Sequence, residues 1–245
     1  ACGATTWERC CLGLPSLVIT VAENQKQIAK ELNKQGIIRW LGHYNKISKK
    51  SIYQALEIYS NQNLKNWSEA CKLVTDGYGA LKVAANITLN PKSVLKARSA
   101  KNNDETLLLR WANDPLVRKN SFNPNIILSE AHHIWFNKRI KNPDYYKILI
   151  VETKEALPIG QMRIEKKKNK WFIDYSLAEF ARGKKIANIM LNTALKKFKN
   201  MGFTNFFAEV KKNNKASSKV FKKAGFKIKT TPHKNFINFF FKNKL

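Results

Sequence analysis

The chain reads as short apolar runs separated by polar turns, and the spacing of the apolar positions changes along it. Residues 7–12 follow Thr6, a helix-capping residue type, and Gly13 and Pro15 stop the run, which predicts a short helix. Leu17-Val18-Ile19-Thr20-Val21 is an unbroken apolar run of strand length, as expected of a strand buried on both faces. The pattern then predicts a helix over 25–35 ended by Gly36, a strand over 37–41, and helices over 51–59 and 67–84. Strand–helix alternation implies a parallel α/β sheet, here too short for a full doubly wound domain. It has the look of the second half of a larger sheet domain.

Asn90-Pro91 marks a boundary, and residues 92–103 contain few large apolar side chains. The expected division is therefore a first domain over 1–92, a linker over 93–103 and a second domain over 104–245. In the second domain, an apolar stretch at 105–111 and a turn at Asp114-Pro115 precede a helix over 129–140, with Ser129 as its cap. Strands follow at 146–152, 159–164 and 171–177. A helix over 184–199 carries Ile186, Met190, Leu191, Leu195 and Phe198 on one face. A strand at 205–210, a helix at 216–224 and closing strands at 226–229 and 236–241 complete an α+β layout.

Composition narrows the partners. The net charge of +28 suggests a polyanion, but only eight of the 45 basic residues are arginine, and the lysines are spread over nearly every segment. Nucleic-acid readers favour arginine for bidentate contacts. The charge is read as a solvated lysine surface that steers small anions inward, with no nucleic-acid partner expected. No apolar run is long enough to span a bilayer, so no membrane partner is expected. Cys2, Cys10, Cys11 and Cys71 have no metal spacing with the four histidines and read as reduced thiols, with no metal site and a cytoplasmic setting expected. A start at Ala1 without methionine is what a piece of a longer chain would have. The oligomeric state is left open.

Two segments carry the chemistry. Arg182-Gly183-Lys184-Lys185-Ile186-Ala187 is a basic glycine turn opening a helix, where backbone and the first helical N–H groups approach an anion. Val210, Asn214, Ser217, Phe221 and Gly225-Phe226 form a strand end, a polar helix start and an aromatic closure. Together they resemble the acetyl-CoA-binding core of the GNAT N-acetyltransferases. The resemblance implies acetyl-CoA as cofactor, its pyrophosphate on the 182–187 amides, its arm beside Asn214, Ser217 and Phe221, and a backbone donor for the thioester oxygen near Leu177. Two positions depart from the family pattern. Lys185 stands where a second glycine is frequent, and Phe221 stands where a tyrosine often protonates the departing thiolate.

Upstream, residues 109–122 with His132 and His133 resemble the substrate side of GNAT enzymes that acetylate nucleotide-linked amino sugars. The resemblance implies Arg110, Asn113, Arg118, Asn120 and His132 as substrate-binding residues. Asp174 and Glu209, on flanking strands, are the candidate catalytic bases, since an ammonium must lose a proton before it attacks. Thr5-Thr6-Trp7-Glu8 and the residues after it resemble the nucleotide-binding half of the UDP-sugar hydrolase of pseudaminic acid biosynthesis, a glycosyltransferase-B-type fold. This implies Thr5 and Thr6 at a diphosphate and Glu8 at ribose hydroxyls. The expected fold is thus a partial Rossmann-like domain followed by a GNAT domain. The expected activity is N-acetylation of a UDP-linked 4-amino-4,6-dideoxy sugar. The alternatives are a nucleotide-sugar-binding fragment with an inactive acetyltransferase half, and an enzyme acting on a protein or peptide amine.

Overall fold

In the computed structural model, which describes residues 2–60, 63–229 and 235–242, the chain divides into two units, Ala1–Gly79 and Ala80–Leu245. The first unit runs α1 (Thr5–Leu12), β1 (Leu17–Thr20), α2 (Asn24–Lys34), β2 (Arg39–His43), α3 (Lys49–Ser60) and α4 (Leu64–Val74). β1 and β2 pair in parallel, with Leu17 opposite Arg39, so β1–α2–β2 is one strand–helix–strand unit. Its core holds Cys2, Cys10, Val18, Leu32, Ile37, Ile38 and Cys71, and the Trp67 indole donates to the Ile37 carbonyl at 2.8 Å. Burial pushes the Cys71 thiol up to about 11, and the buried cysteines behave as small apolar side chains.

Three expectations for this unit change. The strand expected at 37–41 begins at Arg39, because Ile37 and Ile38 are spent plugging the core. The helix expected over 67–84 is two helices, broken at Gly77, whose φ of +75° no helix admits. Thr6 does not cap α1. It lies inside the helix, buried, with its hydroxyl donating to the Cys2 sulfur at 3.6 Å and accepting from Arg9 at 3.1 Å.

The second unit contains α5 (Gly79–Thr88, entering from the boundary), β3 (Leu95–Ser99), α6 (Glu105–Ala112), α7 (Pro115–Asn120), α8 (Ser129–Lys141), β4 (Tyr146–Thr153), β5 (Pro158–Lys167) and β6 (Lys170–Leu177). It continues with α9 (Ala187–Asn200), β7 (Asn205–Lys211), α10 (Lys215–Lys223), β8 (Lys227–Lys229) and β9 (Phe236–Lys242). The seven strands form one sheet in the order β3-β4-β5-β6-β7-β9-β8, antiparallel except for the parallel pair β6–β7. Residues 95–99, expected to belong to a linker, are instead the edge strand β3, paired from Leu95–Thr153 to Ser99–Leu149. Only Leu95 of that strand is buried, so its pattern imitates a loop. Arg98 fastens it through Glu152 (2.6 Å) and Asp104 (2.7 Å).

Alternation along β5 and β6 sorts side chains between two faces. Gly160, Met162, Ile164, Tyr175 and Leu177 share the face that packs on α9 and α10. Gln161, Arg163, Glu165, Asp174 and Ser176 share the other, where Arg163 and Arg139 flank Trp135 of α8. On the α9 face a side chain at Gly160 would lie 2.5 Å from the Ser176 carbonyl and 2.7 Å from the Met190 sulfur, so glycine is required there by space. Replacing Gly160 with alanine should lower stability by about 1–3 kcal/mol, because backbone cannot yield as a flexible side chain does. Urea denaturation of Gly160→Ala against wild type measures it, and an unchanged midpoint would contradict the close packing.

Candidate active site

β6 and β7 are hydrogen-bonded neighbours only at Trp171–Phe206 and Phe172–Phe207, although β6 continues to Leu177 and β7 to Lys211. Past these pairs the two strands part. The Ala178 N–H donates to the Ile159 carbonyl at 2.8 Å, which fixes the phase of the β5–β6 ladder. N–H groups of Tyr175 and Leu177 therefore point away from β5, toward the gap, past the last residues that pair with β7. A cavity of about 1020 Å³ occupies the gap and reaches both faces of the sheet.

One side of the cavity is built from turns. β6 leads through a 3-10 turn, Glu179–Ala181, into Arg182-Gly183-Lys184-Lys185, and α9 begins at Ala187. Gly183 (φ +75°) and Lys185 (φ +59°) both adopt left-handed backbone. For Lys185 this costs about 1 kcal/mol, and it turns the local amides in the same way a second glycine would. No side chain caps α9, so its first N–H groups face the wall lined by Ile186 and Ala187, carrying the positive end of the helix dipole. Asn214 caps α10 by accepting from the Ser217 N–H at 3.0 Å and leaves its amide N–H₂ for the cavity.

The Arg182 guanidinium is used internally. It donates to the Leu177 carbonyl (3.2 and 3.0 Å) and pairs with Asp114 at 2.8 Å, tying the turn to the end of β6 and to the start of α7. Burial raises the Asp114 carboxyl, but the Arg182 pair and the Val117 and Leu116 amides outweigh it and hold the group below the ordinary aspartate range. Lys184 does not line the cavity. Its ammonium donates to the Asn86 carbonyl of α5 at 2.6 Å. The remaining residues expected on the coenzyme side all line it: Leu177, Gly183, Lys185, Ile186, Ala187, Asn214, Ser217 and Phe221.

Phe221 is buried and meets Tyr175 edge-on at 5.4 Å, with Phe226 and Phe239 on its other sides. Tyr175 was missed in the sequence, where it is one aromatic of a strand run. In the fold its hydroxyl lines the cavity and accepts from the Ser217 hydroxyl at 3.3 Å. Burial raises its pKa, so the phenol keeps its proton at neutral pH.

On the opposite face, Asp174 and Glu209 both line the cavity. Asp174 is held in an ion pair by Arg163, while Glu209 is exposed and has no ion pair among the described residues. Gln161 and Ser176 sit directly opposite each other across β5–β6, buried, and the Gln161 carbonyl oxygen and Ser176 hydroxyl have no hydrogen-bond partner among the described residues. Four residues expected to bind substrate do other work or lie off the cavity. Arg118 lines the wall but spends its donors on the carbonyls of Ala112 (2.5 Å), Asn123 and Asn125 (3.2 Å each) and on Ser121 (3.0 Å), pinning the 121–125 loop. Asn113 exchanges two 2.8 Å bonds with the backbone of Ile127 and lies off the cavity, as does Arg110 on α6. Asn120 does line it. His132 is buried on α8, stacked on Trp135 and Phe136 away from the cavity, and burial lowers it to about 4. Thr5 and Glu8 are exposed on α1 of the first unit.

Residues 95–227 match the acetyltransferase (GNAT) domain family. The chain belongs to the GNAT family. This makes it an acetyltransferase with acetyl-CoA as its acetyl donor. The left-handed turn, the uncapped α9 and the open edge of β6 fit the coenzyme's pyrophosphate and amide-bearing arm. An uncharacterised protein of Methanocaldococcus jannaschii is 26% identical over 235 residues, covering 92% of this chain and 45% of that protein, so the chain spans less than half of that relative. A solved domain from the same organism is 24% identical with a TM-score of 0.54, covering 62% of this chain and 99% of that one. The spermidine N-acetyltransferase of Vibrio cholerae, solved with CoA and spermine, has the same fold at 15% identity and a TM-score of 0.54, covering 61% and 95%. A ribosomal-protein α-N-acetyltransferase solved with CoA does so at 14% and 0.53, covering 63% and 97%. No described helix is long and apolar enough to cross a membrane.

The buried histidine has a pH signature. Its folded pKa lies near 4 against 6.5 when exposed, so its contribution to stability is complete above pH 6.5 and is lost as pH falls toward 4. Between pH 7 and 4.5 that loss amounts to about 2.5 kcal/mol. His132→Phe should remove that part of the acid sensitivity in urea titrations at the two pH values. An unaltered pH dependence would show that His132 is not buried neutral.

Proposed function

We propose that the enzyme acetylates the amine of a UDP-linked 4-amino-4,6-dideoxy sugar, an intermediate of pseudaminic or related nonulosonic acid biosynthesis. The observation that carries this reading is the charge of the cavity: eight Lys and Arg line it against three carboxylates, Glu165, Asp174 and Glu209. A polyamine acceptor would be repelled by that wall, whereas a diphosphate is attracted to it. The relative that matches along 92% of this chain aligns with both units, which favours a joint role for them. In this reading the first unit is the nucleotide-sugar-binding part of a UDP-sugar hydrolase-like domain. The exposed Thr5 and Glu8 are its contacts, and Thr6 supports the helix from inside.

The proposed chemistry assigns a task to each group. Acetyl-CoA supplies an activated thioester. The amides of residues 182–187 hold its pyrophosphate, and the Leu177 N–H stabilises negative charge on the thioester oxygen. Glu209 accepts the proton of the attacking ammonium, having no cation to hold it. Tyr175 donates a proton to the departing sulfur. Phe221 of α10 has no proton to give; the Tyr175 phenol beside it, on β6, supplies one.

Tyr175→Phe should lower kcat by about 10²–10³-fold with little change in KM for acetyl-CoA, and Glu209→Gln should lower kcat by a similar factor. Stopped assays of free thiol release measure both. The acceptor is tested with UDP-linked amino sugars, spermidine and peptide amines side by side. Thiol release with spermidine or a peptide but with none of the nucleotide sugars would overturn the proposal.

A further inference from the structure

The outer face of the sheet carries a feature that acetyl transfer does not require. Phe172 is the register partner of Phe207, and Phe207 is the register partner of Phe240. Directly paired residues point to the same face, so the three rings form a row across β6, β7 and β9. Their centroids are 5.8 and 5.0 Å apart, with planes tilted by 35° and 39°. Their strand neighbours Phe206 and Phe239 point the other way and are fully buried. The core is therefore complete without the row, whose members are only half-buried. An outward strand position ordinarily carries a polar side chain; three phenylalanines there form a row of tilted, mutually packed rings.

Cations surround this row. The ammonium of Lys167 lies 5.4 Å from the Phe172 ring, and those of Lys170 and Lys229 lie 5.3 and 5.8 Å from the Phe207 ring. None of the three lysines is ion-paired among the described residues. Flat aromatic faces beside unpaired ammonium groups fit a ligand that is itself flat and anionic, that is, a nucleobase followed by phosphate. The row is also continuous with the active site. Phe172 and Lys167 line the cavity, and Phe172 and Phe207 stand two residues, roughly 7 Å of strand rise, from Asp174 and Glu209.

We propose that the Phe172–Phe207–Phe240 row, with Lys167, Lys170 and Lys229, is a subsite that stacks the base and pairs the phosphates of a nucleotide-linked acceptor. It rests on the amino-sugar reading for the identity of the acceptor. The base would take the ring face over which a lysine now lies, and the lysine would turn to the phosphate. The same subsite would select nucleotide-linked amines over the free amino sugar.

UDP is titrated calorimetrically into wild type, Phe207→Ala and Lys170→Ala, and KM is measured for a UDP-linked amino sugar and for the same sugar as its 1-phosphate. Phe207→Ala should lose one UDP site and raise KM for the UDP-linked sugar about tenfold or more, leaving KM for the 1-phosphate and for acetyl-CoA in place. Lys170→Ala, at an exposed position that does not endanger folding, should weaken UDP binding with a reduced salt dependence. Identical UDP isotherms in wild type and both variants would overturn the subsite. UDP binding that depends on Phe207, in an enzyme that acetylates no nucleotide sugar, would uphold the subsite and remove the proposed acceptor instead.

Discussion

The second unit is organised by the parting of β6 from β7. Only two residue pairs hold these parallel strands together, and beyond them the inner edge of β6 has backbone donors with no ladder partner. Continuous pairing would have consumed those donors and closed the cavity. The gap is kept open by side chains from elsewhere. Phe221 of α10 meets Tyr175 on β6 and Phe239 on β9, so an aromatic wedge spans the opening from the α10 side. Gly160 lets β5 and β6 press against Met190 of α9, which sets the position of the turn above them.

The turn between β6 and α9 combines strain and electrostatics. Two residues adopt left-handed backbone, one of them a lysine, and a helix start is left without a side-chain cap. Each feature is mildly unfavourable in the free protein, and each directs N–H groups toward an anion. Arg182 lines the cavity wall, and its guanidinium braces the turn through Leu177 and Asp114. Arg118 braces the loop on the other side of the cavity in the same manner. Lysines, arginines and amides together make the cavity positive, and two of the arginines, Arg118 and Arg182, also act as structural clasps.

The opposite face supplies the groups that would receive an acceptor. Among the described residues Glu209 has no ion pair while Asp174 is held by Arg163, so two carboxylates that look alike in the chain differ in availability to a proton. Buried, unpartnered oxygen atoms on Gln161 and Ser176 add hydrogen-bonding capacity in the same wall. In the proposed reading the coenzyme and the acceptor approach from opposite sides of the sheet and meet at the gap.

Local pattern determined much of this protein. The alternation of β4 to β6, the amphipathic stripe of α9, the glycine stops and the Arg-Gly turn are properties of neighbouring residues, so they were readable directly. The wall of the cavity formed by residues 182–187 and 214–221 was readable too, because it is built mainly from two short contiguous segments. What depended on distant partners was not readable. β3 is a strand only because β4 lies beside it, and its exposed residues resemble a loop. Thr6, Arg118, Asn113 and His132 have the chemistry of ligand contacts, yet their burial or their bonding to the backbone of a neighbouring loop commits them to structure. Tyr175 takes its place beside Phe221 only because α10 folds back over a strand 46 residues earlier. Residue type and spacing set which groups the chain can offer; the packing of remote elements decided which of them reach the cavity.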